Sequence, residues 1–175
     1  MLVRTGEEIA KILAPLLWSA KTVLFIDPYF DISNSRNRET LKRCLETFAT
    51  NGPQGLRCEV HFGDMNGMPD TTSIEQNAAI WLGGVIPDGM SVIFYTWRKK
   101  ENGEDFHDRF LLTEKGGVKL GAGFIANGNH QTVNISLLDI NFCECERANF
   151  KIDATIYDLS EPVIEVFSDG RVVRA

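Results

Sequence analysis

Apolar residues recur at Ile9, Ile12, Leu13, Leu16 and Leu17, the spacing of one helix face. Thr5 precedes Glu8 by three residues, the arrangement in which hydroxyl and carboxylate cap each other's backbone N–H groups. A helix is therefore predicted over 5–20, with Pro15 kinking it or ending its regular part early. The continuous apolar run 22-TVLFIDPYF-30 then reads as a buried strand closed by Asp-Pro. A second helix is predicted over 38–49, and a strand over 56–62 with Leu56, Cys58, Val60 and Phe62 on one face. A third helix, over 73–84, carries Ile74, Ala78, Trp81 and Leu82 on one stripe and stops at Gly83-Gly84.

Beyond residue 90 the pattern changes from alternating helix and strand to closely spaced strands. These are predicted over 91–97, 106–113, 117–124, 132–139 and 152–158, with a closing hairpin around Asp169-Gly170. Neither a repeat nor a linker interrupts the order. The expected fold is α/β, one domain over residues 1–175 with a mixed β-sheet flanked by helices on both faces. Its abrupt start and stop suggest a piece excised from a longer protein.

Composition narrows the class without naming an activity. With 175 residues, 43% of them hydrophobic and 24% charged, the chain has the make-up of a soluble globular domain. No apolar run reaches the roughly 20 residues of a membrane span, so integral membrane association is not expected. The N-terminus lacks the basic flank and cleavage site of a secretory signal, which makes the cytoplasm the expected location. A net charge of −6, with no basic run longer than 98-RKK-100, argues against a general nucleic-acid binder. The four cysteines form no CxxC pair, and His61 and His130 stand at no zinc-like spacing from them. Four plain thiols, no metal and no cofactor are therefore expected.

One stretch concentrates chemistry: 105-DFHDRFLLTEKGGVKLGAGF-124. On a strand His107 and Arg109 would project together and Asp108 the other way. An imidazole beside a permanently charged guanidinium suits a phosphate: one attacks phosphorus or shuttles a proton, the other neutralises the oxygens. Glu114 follows at the strand's end, and Gly121-Ala122-Gly123 lies where a partner strand would finish. Glycine at such a place lets a ligand or a crowded neighbour approach the backbone.

These residues resemble the signature of the phospholipase D superfamily: histidine, any residue, lysine, four residues, aspartate, six residues, then Gly-Ser or Gly-Thr. Here His107, Arg109, Glu114, Gly121 and Ala122 keep every spacing, with arginine for lysine, glutamate for aspartate and alanine for serine. Phe124 stands near the place of an expected asparagine. The run 23-VLFIDPYF-30 is similar to that family's first core strand, and 91-SVIFYTW-97 to the strand before its histidine.

The resemblance implies a metal-independent phosphodiesterase, a nuclease rather than a lipase, working through a phosphohistidine. The family uses two such motifs, whereas this chain has one, so a homodimer with a shared site is implied. In it, His107, Arg109 and Glu114 would be catalytic, and Gly121, Ala122, Gly123 and His130 would bind substrate. The three softened positions keep a second reading open. In it the domain is catalytically degenerate and holds a phosphate-bearing ligand (acidic lipid or nucleic acid) or a protein partner, within a larger complex.

Asp27, Tyr29 and Asp31 are candidates for the same cleft, and Trp97, Arg98 and Lys99 for an aromatic and cationic wall. His61 is expected to be structural. So is each glycine and charge of the motif if the spacing match is fortuitous.

Overall fold

The structure is a computed structural model that describes residues 2–175, with backbone alone for Leu2, Asn129 and His130. Strand β1 (Leu2–Arg4) leads into helix α1 (Gly6–Ser19), and β2 (Thr22–Ile26), α2 (Ser35–Phe48), β3 (Arg57–Gly63), α3 (Thr71–Leu82) and β4 (Ser91–Arg98) follow. Then come β5 (Phe110–Thr113), β6 (Gly116–Leu120), β7 (Gly128–Val133), β8 (Ile135–Leu138), α4 (Ile140–Asn149), β9 (Asp158–Phe167) and β10 (Val172–Arg174). Eight strands form a mixed sheet in the order β10-β9-β4-β3-β2-β5-β6-β8, and β1 pairs separately with β7. Strands β2, β3 and β4 run parallel, and the remaining pairings in the sheet are antiparallel.

Local chemistry explains the helix starts. The Thr5 hydroxyl accepts from Glu8 N, the Asn34 side chain from Arg36 N, and the Asp70 carboxylate from Ser73 N. Each replaces a hydrogen bond that the first turn cannot make internally. Helix α1 runs through Pro15 to Ser19 without ending early. Alternation along β2 divides the core: Val23 and Phe25 join the buried faces of α1, α2 and α3, while Leu24 and Ile26 face the other way.

On that second side the cover is thinner than the helical layer expected there. The cluster contains Cys143 from α4 and Phe150 just beyond it, together with strand and loop residues such as Tyr95, Trp97 and Phe106. Helix α4 itself was not predicted, because Cys143 is its one buried residue and no apolar stripe marks it. The strand predicted over 152–158 is instead a connection, and pairing begins only with β9. Cys44, Cys58 and Cys143 are buried free thiols and Cys145 is exposed. Burial pushes the Cys44 thiol up to about 12.

The second face also carries a polar chain, buried from Trp97 to Glu59 and exposed at Arg57. The Trp97 indole N–H donates to His61 Nδ1 at 3.0 Å, so His61 Nε2 carries the proton and donates to Glu59 at 2.9 Å. Glu59 also accepts from Arg57, whose guanidinium donates to the Tyr95 hydroxyl at 3.2 Å. Burial lowers the His61 pKa and so keeps the ring neutral. His61 is thus a buried neutral ring with both nitrogens hydrogen-bonded.

Candidate functional site

The carboxyl ends of β2, β3 and β4 lie at the same end of the sheet as the start of β5 and the end of β6. Ile26 stands opposite Phe110, and Phe110 opposite Lys119. Ligands of α/β sheets gather beyond this end. It receives Asp27 and Tyr29 after β2, Gly63 and Asp64 at the end of β3, and Lys99 after β4. His107 and Arg109 reach it from the segment that precedes β5.

Asp27 is the centre of the arrangement. Its side chain accepts from Tyr29 N and from Phe124 N, each at 3.0 Å, and lies 3.5 Å from Arg109 Nε. Burial pushes the Asp27 carboxyl above its usual value, while the Phe124 and Tyr29 N–H groups and the charges of Arg109 and Arg4 pull it down. Arg109 also donates to Gly121 O at 3.3 Å, and its guanidinium lies 4.9 Å from the centre of the Tyr29 ring. Arg4, from β1, donates to Ala122 O at 2.6 Å. Its buried Nε has no hydrogen-bond partner among the described residues. Asp27 pairs with Arg109 and also feels the charge of Arg4, so two guanidiniums stand against one carboxylate.

Gly123 makes this packing possible. It has φ of +70°, and a Cβ there would overlap Asp27 Oδ2 and approach Arg109 Cδ to 2.8 Å. Gly121 has no comparable constraint, since the nearest atom to its Cβ would be Asn134 O at 3.5 Å.

His107 is exposed and lies off the strand predicted for it, because β5 pairing starts only at Phe110. It lines a cavity of about 320 Å³ with Tyr29, Trp97, Lys99 and Phe106, while Arg109 does not line it and contacts the Tyr29 ring. Among the described residues no hydrogen bond orients its imidazole. Lys99 pairs with Asp105 at 2.7 Å and Arg98 with Asp64 at 3.1 Å, so these charges around the cavity mouth are largely balanced. Asp108 is directed away to Lys119 at 2.7 Å, and Asp31 closes its own turn by accepting from Ser33 N.

Glu114 is not part of this group. It follows β5 at the opposite end of the sheet, where Thr113 stands beside Val23. Five residues of extended chain separate it from Arg109, about 16 Å. Its carboxylate accepts from Lys21 N at 2.6 Å and Thr22 N at 3.0 Å, joining the α1–β2 connection to the β5–β6 turn. Burial raises the Glu114 pKa, but these N–H groups outweigh it and hold the carboxyl below its usual value. The expected catalytic role is therefore corrected to a structural one. Glu114→Ala is expected to cost about 1–3 kcal/mol of stability, because it strands two N–H donors. Chemical denaturation measures that loss, and any ligand binding at Arg109 should be unchanged.

The substrate-binding expectations divide similarly. Gly121, Ala122 and Gly123 follow β6 and touch Arg109, Arg4 and Asp27. The predicted His130 lies outside the residues whose side chains are described. Arg4 went unrecognised in the sequence, because only the β1–β7 pairing brings the chain's start to this turn.

No family model matches the chain, and no curated protein does. Among solved structures it is similar to that of TrmBL2, an archaeal chromatin protein with a novel mode of DNA binding. The two share 11% identity at a TM-score of 0.40, over 86% of this chain and 50% of that one. The chain thus spans about half the length of that protein. Among the described residues, no group of histidine, cysteine and carboxylate side chains could hold a metal ion, and no helix is long and apolar enough to cross a membrane.

Proposed function

We propose that this domain binds a phosphate-bearing ligand through Arg109 and Arg4 without cleaving it. The observation that carries the reading is the Asp27–Arg109–Arg4 cluster, which offers guanidinium donors and uncompensated positive charge at the carboxyl end of the parallel strands. Arginine is suited to this task because its planar fork can engage two phosphate oxygens at once. The remainder of the ligand has the cavity beside Tyr29, whose exposed ring suits stacking of a base or contact with an acyl chain. Binding without turnover accords with the other positions. Glu114 is occupied elsewhere, Ala122 has no hydroxyl, and His107 is not oriented by a hydrogen bond among the described residues.

A second reading draws on the exposure of His107 at the cavity mouth. A nucleophilic histidine must reach phosphorus, and a second must protonate the leaving oxygen. An exposed His107 is free to meet its copy across a twofold axis, as a phospholipase D-like homodimer would require.

The deciding experiment has two arms. Binding of a single-stranded oligonucleotide, or of vesicles containing phosphatidylglycerol, is measured alongside hydrolysis of bis(p-nitrophenyl) phosphate in EDTA. Saturable binding that weakens by about tenfold or more in Arg109→Ala, without hydrolysis, is the expected result. The two ligands tell a nucleic-acid phosphodiester from a lipid one. Hydrolysis that disappears in His107→Ala would instead establish the homodimeric phosphodiesterase. If neither ligand binds, the phosphate site is refuted.

A further inference from the structure

On β3, residues two apart share a face. One face carries Cys58, Val60 and Phe62, all buried against the three helices. The other carries Arg57, Glu59 and His61 in the middle of the sheet, beside Tyr95 of the neighbouring strand. Of these three, Glu59 is the buried charge, since Arg57 is exposed and His61 neutral, and its desolvation is a cost that an apolar residue would avoid.

Above it lies a cavity of about 560 Å³, floored by β2, β3 and β4 and walled by α4 and the segment after it. That volume falls in the range of small-molecule sites. It is a different place from the Arg109 cluster, which lies beyond the strand ends.

The hydrogen-bonding state of the lining indicates what fits. Glu59 is fully engaged, with one oxygen on Arg57 and the other on His61. Burial raises its pKa, but the His61 and Arg57 contacts outweigh that and hold it below the usual value, so it stays an anion matched by Arg57. Arg147 comes from α4 on the opposite wall, and its buried Nε has no hydrogen-bond partner among the described residues. A buried donor left unsatisfied calls for an acceptor, here one that the protein itself does not provide. Lys151 adds a third cation, and Glu144, the one other carboxylate of the lining, is exposed and makes no ion pair among the described residues. Three cations against two carboxylates leave one positive charge. Leu24 and Phe150 supply apolar surface beside it.

We propose that this cavity binds a small organic anion. The acidic group sits between Arg57 and Arg147 within reach of the Tyr95 hydroxyl, and an apolar body rests on Leu24 and Phe150. A carboxylate and a phosphate monoester share the required chemistry: several acceptor oxygens and negative charge on a compact head. A neutral compound of the same shape brings no charge and fewer acceptor oxygens to the two guanidiniums and is rejected.

The test titrates ¹⁵N-labelled protein with phenyl phosphate, benzoate and benzyl alcohol. At least one anion is expected to cause saturable shifts at residues 57–59, 95 and 144–152, with none from the alcohol. The tighter of the two anions identifies the head group. Arg147→Gln should weaken binding by about tenfold or more with an unchanged unfolding temperature, because Arg147 is outside the Arg57–Glu59–His61 chain. Arg109→Ala should bind like wild type, which separates this site from the one at the strand ends. The proposal is overturned if neither anion saturates by about 10 mM, a limit of weak binding. Equal binding of the alcohol, an Arg147→Gln variant that binds normally, or a response that follows Arg109 would overturn it too.

Discussion

Asp27→Ala is expected to lower the unfolding free energy by about 3–5 kcal/mol, the cost of breaking a buried ion pair from one side. The carboxylate is almost wholly buried, at 3% exposure, and satisfies the N–H groups of Tyr29 and Phe124. Its removal strands both donors and leaves Arg109 and Arg4 facing each other without a counter-charge. Their mutual repulsion is already felt, since burial and then the Arg109 charge lower the Arg4 pKa. Urea denaturation of the two proteins measures the difference. A loss below about 1 kcal/mol, the range of an exposed ion pair, would show that Asp27 does not anchor the cluster.

The second large effect belongs to Gly123→Ala, expected to cost about 2–4 kcal/mol from left-handed backbone strain and overpacking together. At φ +70° the new methyl would overlap the Asp27 carboxylate, which is itself fixed by two backbone hydrogen bonds. Relief requires Asp27 or Arg109 to move, so the proposed phosphate binding should fall together with the unfolding temperature. Gly121→Ala is the control. It stands two residues away in the same turn, is exposed, and its added methyl would meet only Asn134 at ordinary contact distance, so its effect should stay within about 0.5 kcal/mol. If the two variants behave alike, the close approach at Gly123 is not what shapes the site.

Much of the layered fold was legible along the chain, because each element satisfies its own local rule. The apolar stripes of α1 and α3 and the alternation of β3 announce elements whose buried faces are regular. Helix α4 escaped because a stripe needs several buried positions and it has one. The segment before β5 was misread for a related reason. Phe106 and Phe110 are both buried, but as separate contacts of a loop and a strand start rather than as one alternating face.

The spacing from His107 to Ala122 places His107, Arg109 and the glycine turn at one end of the sheet, since a hairpin returns its last residues beside its first. It could not place Glu114, which the same hairpin geometry carries to the far end.

The parallel pairing of β2, β3 and β4 therefore came from the structure, while residue order alone indicated the mixed α/β layering and the hairpin that brings the Gly121–Gly123 turn back to Arg109. These follow from periodicity and chain direction, which are local. The tertiary structure decided that Arg4 joins Asp27 and Arg109, that Glu114 secures the α1–β2 connection, and that Arg57 and Arg147 face one cavity. Such meetings depend on pairings across tens of residues, and the energy that selects them, the burial and neutralisation of charge, exists only once the surrounding chain has excluded water.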